Sequence, residues 1–350
     1  MKYKIFGQKT GLRVSELALG TGNFGTRWGH GSDEETSKNI FNKYIEAGGN
    51  FIDTADGYQV GQSEEILGNL IKEKRHDLIL SSKFSTGGST LLTTGNSRKN
   101  IIHSVEQSLK RLDTDYLDIY WAHLSDGQTP IEEIMRAMDD LVRQGKILYT
   151  GFSNFPAWKI ANAALLAEIR GWAPVAGIQI EYNLIERGAD RELLPMAESL
   201  GLGAAFWSPL AGGTLTGKYR SNLKDETSRQ QAWGGALLKG ETGNRETEIL
   251  NMLEKIAKEK ETKILDIALA WLRQKHDNSG LSTVTILGPR NEQQLADNLN
   301  SLNVTLSSEE IENLNKISTI DLGYPHTMIS ENQANIFGES TGLVEVKHKV

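Results

Sequence analysis

The stretch Asn50–Gly68, NFIDTADGYQVGQSEEILG, decides how the rest of the chain is read. Phe51-Ile52-Asp53-Thr54 is a short apolar run of the kind that forms a buried strand. Ser63-Glu64-Glu65 opens a segment whose apolar residues, Ile66, Leu67, Leu70 and Ile71, recur at helical spacing, and Ser63 is the natural candidate for its N-cap. Asp53, Asp56 and Tyr58 lie between the two. A strand exit, a polar turn and a helix start make up the unit in which barrels and open α/β sheets keep their chemistry. Taken alone, the same residues would suit a capped turn with a core tyrosine, so the surroundings have to decide.

Working outward, the alternation repeats. The strand Ser15–Gly20 and the loop Thr21–Gly25 precede a helix over Ser32–Ala47, stopped by Gly48-Gly49. The strand Phe51–Thr54 is followed by the helix Ser63–Glu73, Leu78–Ser82 by Arg98–Leu112, and Leu117–Ala122 by Ile131–Gln144. Ile147–Phe152 is followed by Pro156–Glu168, Gly177–Tyr182 by Arg191–Leu200, Gly203–Trp207 by a long insertion and two helices, and Thr283–Leu287 by Glu292–Leu302. Eight βα units in this length predict an α/β fold of the closed (β/α)8 TIM-barrel type, with right-handed crossovers between parallel strands. No Gly-x-Gly-x-x-Gly follows the first strand, which argues against a doubly wound dinucleotide fold.

Three additions frame the barrel. Lys2–Phe6 and Leu12–Val14 flank Gly7-Gln8-Lys9-Thr10-Gly11, the pattern of an N-terminal β-hairpin. The segment Lys218–Glu246 after strand seven is polar and turn-rich, with the length of a lid. Ser307-Ser308-Glu309-Glu310 caps an extra C-terminal helix carrying Ile311, Leu314 and Ile317. The tail Asp321–Val350 has weak periodicity and no predicted place. The expected organisation is a single barrel domain over 1–350, its core about 15–305 and its C-terminal helix and tail 306–350.

Composition narrows the function. A net charge of −7 over 350 residues argues against a dedicated nucleic-acid binder, which needs lysine and arginine on phosphates. The absence of cysteine removes disulfides, thiolate metal sites and cysteine nucleophiles together. The N-terminus has no signal-peptide pattern and no apolar run is long enough to span a bilayer, so a soluble cytoplasmic protein without a membrane partner is expected.

In a (β/α)8 barrel, residues at the C-terminal strand ends converge on one mouth. Those ends carry Asp53 and Tyr58, then Lys83, then His123, then Ser153 and Asn154, with Gln179 inside strand six, Trp207-Ser208 after strand seven and Gly288-Pro289-Arg290 after strand eight. Each has an ordinary structural alternative: a surface lysine, a satisfied core histidine, a packed tryptophan. Their arrival at successive strand ends favours a shared site. A free tyrosine, with a pKa of about 10, is a poor proton donor at neutral pH, and a neighbouring lysine cation lowers that value. An aspartate holds the lysine charged and in place, and a histidine can orient a carbonyl oxygen. The set suits proton delivery to an oxygen becoming alkoxide. Metal binding fits poorly, with one histidine at the mouth and a lysine to repel the ion.

These residues, together with NFIDTADGY, GFSN, QIEYN, WSPLAGG and GPRNEQQLADN, resemble the motifs of the aldo-keto reductases in order over roughly Tyr3–Ile317. The resemblance implies a (β/α)8 barrel that uses NADPH/NADP+ to reduce aldehydes and ketones, with a small-molecule carbonyl substrate as partner. It implies Tyr58 as general acid, Lys83 and Asp53 as its pKa-setting partners, and His123 as the substrate-orienting group. By the same match Ser153, Asn154 and Gln179 would bind the nicotinamide carboxamide and Trp207 would stack on its ring. Gly20 and Thr21 would border the cofactor. Ser208 and Leu210 would line the pyrophosphate path, with Lys218 on phosphate, and Pro209 and Gly213 would also bind the cofactor. Gly288, Arg290, Gln294 and Asn298 would hold the adenosine 2′-phosphate and adenine, and Arg229 would add a phosphate contact from the lid. Arg290 beside a helix N-terminus is a natural phosphate site on physical grounds too.

Two features depart from familiar branches. Gln59-Val60-Gly61 stands where many bacterial relatives place glycine directly after the tyrosine, which would reshape the mouth. The strand-eight motif lacks the lysine-serine-valine pattern of the aldose-reductase branch and is more similar to that of bacterial reductases and potassium-channel β subunits. A redox-sensing regulatory subunit that binds NADP(H) with slow turnover is therefore the alternative function, and a phosphate-handling barrel isomerase a third. Trp28 and Phe84 are candidates for apolar substrate walls. Relatives occur as monomers and as larger assemblies, which leaves a homo-oligomer open.

Overall fold

The computed structural model describes residues 1–220, 241, 243–277 and 279–338. Two short strands, β1 (Tyr3–Ile5) and β2 (Arg13–Ser15), pair antiparallel as a hairpin. The next eight close a parallel barrel: β3 (Leu17–Gly20), β4 (Phe51–Asp53), β5 (Ile79–Phe84), β6 (Leu117–Ala122), β7 (Ile147–Ser153), β8 (Val175–Glu181), β9 (Gly203–Trp207) and β10 (Thr283–Leu287). β10 returns to pair with β3 and leaves no edge. Strands buried on both faces need continuous apolar runs rather than alternation. β6, with every residue of LDIYWA buried, and β10, with every residue of TVTIL buried, show this.

The hairpin closes the N-terminal end of the barrel. Phe6 is fully buried and meets Phe51 and Trp121 edge-on at centroid distances of 6.1 and 6.2 Å. A Cβ on Gly177 or Gly203 would lie 2.6 or 2.8 Å from its ring, so both strands need glycine where the plug enters. With that end sealed by apolar packing, polar strand residues can gather only at the opposite, C-terminal end.

Several boundaries differ from the sequence reading. Ser63 is not the N-cap of its helix, which runs Gln62–Ile71 from Gly61. The Ser63 hydroxyl instead donates to the Thr21 carbonyl at 2.8 Å and lies 2.8 Å from Thr21 Oγ1 and 3.1 Å from Thr54 Oγ1, tying two strand exits together. β5 extends through Lys83 to Phe84, so this lysine sits within the strand. The helix after β8 is short, Leu193–Ser199, preceded by a 3-10 turn at Gly188–Asp190.

A helix begins at Asn244, inside the predicted insertion, whose residues 221–240 and 242 lie outside the described ones. The C-terminal helix Ser308–Ser318 has the expected capping box from Ser307 and Glu310. The tail forms two short helices, His326–Glu331 and Gln333–Phe337, and 339–350 lies outside the described residues.

Candidate active site

At the C-terminal end of the barrel a cavity of about 1040 Å³ opens, at the upper limit of the roughly 300–1,000 Å³ typical of small-molecule pockets. Strand register explains its floor. Asp53 ends β4, opposite Gly20 on one side and Ser81 on the other. Side chains two apart on a strand share a face, so Lys83 points inward with Ser81 while Ser82 points outward to Glu64, at 2.6 Å. Asp53 is thereby enclosed. Its Oδ1 accepts from Ser81 Oγ at 2.7 Å and Gln179 Nε2 at 2.9 Å, and its Oδ2 from Lys83 Nζ at 2.6 Å. Lys83 is fully buried and uses its remaining donors on the Thr54 carbonyl at 2.7 Å and the Tyr58 hydroxyl at 3.1 Å.

This geometry sets the charges. Burial pulls the Lys83 pKa down, but the Asp53 carboxylate and the Tyr58 oxygen outweigh it, and the net shift is upward. The ammonium is permanent. Burial and then the Lys83 cation lower His123 to about 3, so its imidazole is neutral at physiological pH. Its Nδ1 lies 3.4 Å from Thr86 Oγ1, and its ring meets that of Tyr58 edge-on at 5.9 Å. Asp56, by contrast, faces away from this group. Burial and then the Glu64 carboxylate, against Arg111, push it up to about 7.

Above this floor the groove continues over the strand ends. Asn154, in the left-handed region at φ 55°, donates through Nδ2 to the His123 carbonyl at 2.9 Å and to Ser153 Oγ at 2.9 Å, and its Oδ1 accepts from Trp207 Nε1 at 3.3 Å. These bonds fix the indole at the cavity wall. Gln179 borders the cavity and donates its amide nitrogen to Asp53. Further along, Ser208, Pro209, Leu210, Gly213 and Lys218 border the groove, and its far end is formed by Gly288, Arg290, Gln294 and Asn298. There a helix starts at Glu292, capped by Asn291, while Gln294 Oε1 accepts from the Arg290 backbone at 2.9 Å. A cation beside a helix N-terminus makes this end suited to an anion.

The fold therefore brings together the four residues singled out for proton delivery and nearly all of those singled out for a cofactor. Gly20 borders the cavity, but Thr21 does not: it is buried with its hydroxyl turned to the Asp53 carbonyl and to Ser63. Arg229 lies outside the described residues. Of the two apolar wall candidates, Trp28 borders the cavity at a ring distance of 6.2 Å from Tyr58. Phe84 is fully buried against Tyr120 and belongs to the core, because β5 ends with it on the outward face after the inward Lys83.

Sequence reasoning missed Asn23, whose Nδ2 donates to the Gly288 carbonyl at 2.9 Å and links the first strand end to the last. It also missed Asn183, which holds the Ser208 carbonyl at 3.0 Å. A polar residue within two or three positions of a strand exit was the available signal for both.

Comparison with known proteins identifies the family. The Aldo/keto reductase family profile matches residues 16–319. The chain is 33% identical over 342 residues to norsolorinic acid reductase of Aspergillus flavus, covering 94% of this chain and 84% of the relative. It is 33% identical over 354 residues to an aryl-alcohol dehydrogenase of Phanerodontia chrysosporium whose name specifies NADP(+), covering 95% and 90%. It is 34% identical over 341 residues to an uncharacterized oxidoreductase of Bacillus subtilis, covering 91% and 96%.

Proposed function

The chain belongs to the aldo/keto reductase family, and on that premise we propose that it is an NADPH-dependent reductase of aldehydes and ketones, reversible toward alcohol oxidation, with Tyr58 as the proton donor. The observation that carries this reading is the Lys83 ammonium held 2.6 Å from Asp53 and 3.1 Å from the Tyr58 hydroxyl, at the floor of an open cavity. The donor set along the groove fits the cofactor. Trp207 offers an aromatic face, Ser153, Asn154 and Gln179 offer amide and hydroxyl groups beside it, and Arg290 with the helix N-terminus at Glu292 fits a phosphate at the other end.

Bound NADPH would supply hydride to the carbonyl carbon. The protein's own residues act on the oxygen. Lys83 stabilises the tyrosinate that remains when Tyr58 gives up its proton, which makes the phenol a stronger acid at neutral pH. Asp53 keeps the ammonium charged and fixed, so no reorganisation is needed as charge develops. His123, kept neutral by burial and by Lys83, directs an N–H at the same oxygen when its other nitrogen faces Thr86.

Aromatic aldehydes are the substrates the mouth suits. Trp28 lies edge-on to Tyr58, and Val60 and Leu124 add apolar surface. The name of the aryl-alcohol dehydrogenase relative points the same way. The test is NADPH oxidation by the purified protein with a panel of aliphatic and aromatic aldehydes, with Tyr58→Phe alongside. Turnover by wild type that vanishes in the variant, with NADPH binding retained, is expected. Binding without turnover on any carbonyl would overturn the reductase reading in favour of a regulatory role.

A further inference from the structure

Gln59, next to the candidate acid, has no part in the chemistry above, yet it is fully buried. It and Val60 are consecutive non-glycine residues in the left-handed region, at φ 50° and 56°. That conformation is unfavourable for both, most of all for β-branched valine, and it persists only where surrounding contacts impose it. The contacts are on the Gln59 side chain. Its Nε2 donates to the His30 carbonyl at 3.0 Å and the Gly22 carbonyl at 3.3 Å, and its Oε1 accepts from the Trp28 backbone N–H at 2.9 Å. One buried amide thus holds three backbone groups of the loop after β3. Gln62 adds to the lacing, its Oε1 accepting from the N–H groups of Thr26 and Arg27 at 2.8 and 3.1 Å.

We propose that Gln59 is a specificity-determining positioning residue: it clamps the Gly22–His30 loop so that Trp28 stands as a fixed wall against Tyr58, and so selects flat, aromatic carbonyl substrates. The proposal rests on the reductase reading. The left-handed turn aims the Gln59 amide away from Tyr58 and under the loop, and the clamp fixes the Trp28 backbone beside the bond the amide makes. An immobile indole meets an aromatic substrate without first having to be ordered, whereas a small aliphatic aldehyde leaves that wall untouched. Loss of the clamp should therefore appear in binding of aromatic substrates and leave proton transfer from Tyr58 in place.

The test compares wild type with Gln59→Gly, which is at ease in the left-handed region and removes the amide, and with Gln59→Glu, which keeps the acceptor for Trp28 N–H and loses both donors. For Gln59→Gly, KM for 2-naphthaldehyde should rise about tenfold while kcat for propanal changes less than about twofold. Gln59→Glu should fall between, and it carries the test if the glycine variant does not fold. Trp28→Ala should reduce aromatic preference by itself, and adding Gln59→Gly to it should bring little further change. Hydrogen exchange of the Trp28 amide provides a readout without turnover: protection should fall in Gln59→Gly. Unchanged aromatic preference or unchanged Trp28 protection would overturn the clamp. A wild type that turns over no carbonyl would overturn the reductase reading, and with it the selectivity role, while amide exchange still decides whether the clamp exists.

Discussion

Two clusters in this protein contain the same four residue types. At the cavity, Lys83 lies 2.6 Å from Asp53 and 3.1 Å from Tyr58, with His123 beside them. Behind β9, Lys275 lies 3.1 Å from Asp190 and also donates to the Tyr182 hydroxyl, with His276 beside them. The lysines respond in opposite senses. For Lys83 the close carboxylate outweighs burial and the pKa rises, whereas for Lys275 burial and then the Arg187 cation prevail and lower it to about 8. The tyrosines differ in where they face. Tyr182 donates its proton to Asp190 at 2.5 Å and is packed between Phe206 and Trp271, while Tyr58 borders the cavity. Composition does not make a proton donor. A lysine-supported hydroxyl needs an opening, and its proton must not be held by the cluster's own carboxylate.

The largest expected effect tests that distinction. Tyr58→Phe should lower turnover by roughly 10³-fold, the scale of a lost general acid. Tyr182→Phe should leave turnover intact and lower stability by about 2–3 kcal/mol, since the hydroxyl bonds both Asp190 and Lys275. Steady-state rates and urea midpoints of the two variants check both. Loss of activity in Tyr182→Phe at full stability would show that the second cluster communicates with the first.

The lysines sharpen the contrast. Lys83→Met leaves the buried Asp53 without its cation and with only Ser81 and Gln179 as donors, and should cost about 3–5 kcal/mol in stability along with nearly all activity. Asp190 keeps Arg187, whose Nη2 is 2.5 Å away, so Lys275→Met should cost only about 1–2 kcal/mol and retain turnover. Equal destabilisation by the two would mean that burial alone, and not the lack of a second cation, sets the cost.

The barrel was legible because eight apolar runs alternate with eight helical patterns, and the candidate group at the cavity floor because strand ends converge in such a fold. What stayed hidden depends on the direction a side chain takes. Thr21 follows a strand exit as Ser208 does, yet turns away from the cavity because its hydroxyl donates to the Asp53 carbonyl and pairs with the Ser63 hydroxyl. Ser63 has the position of a cap, but the helix begins earlier and three polar groups from two other elements claim its hydroxyl. Tyr182 sits in QIEYN with the same residue types within reach as Tyr58, and only the packing of Trp271 and Phe206 excludes it from the cavity. Gln59 could be marked as a departure from sequence, but its three bonds to the loop after β3 depend on a left-handed turn that no spacing announces.

The two histidines give the smallest effects. Both are lowered to about 3, by burial first and by the adjacent lysine second. A histidine whose folded pKa lies below its unfolded value contributes stability that is present above about 6.5 and is lost as pH falls toward the folded value, because the unfolded chain takes up the proton first. Between pH 7 and 4.5, His276→Gln should therefore lose less stability than wild type, by on the order of 2 kcal/mol. Asp56, raised to about 7, works in the opposite sense over the same range, but it is common to both proteins and cancels in the difference. An identical pH dependence in the variant would mean that His276 is protonated in the folded protein. For His123 the same shift has a kinetic consequence: kcat/KM should show no inflection near 6.5, since an imidazole already neutral at pH 8 stays neutral at pH 5. A titration near 6.5 that disappears in His123→Asn would place a proton on that ring and remove the neutral N–H from the proposed contact with the carbonyl oxygen.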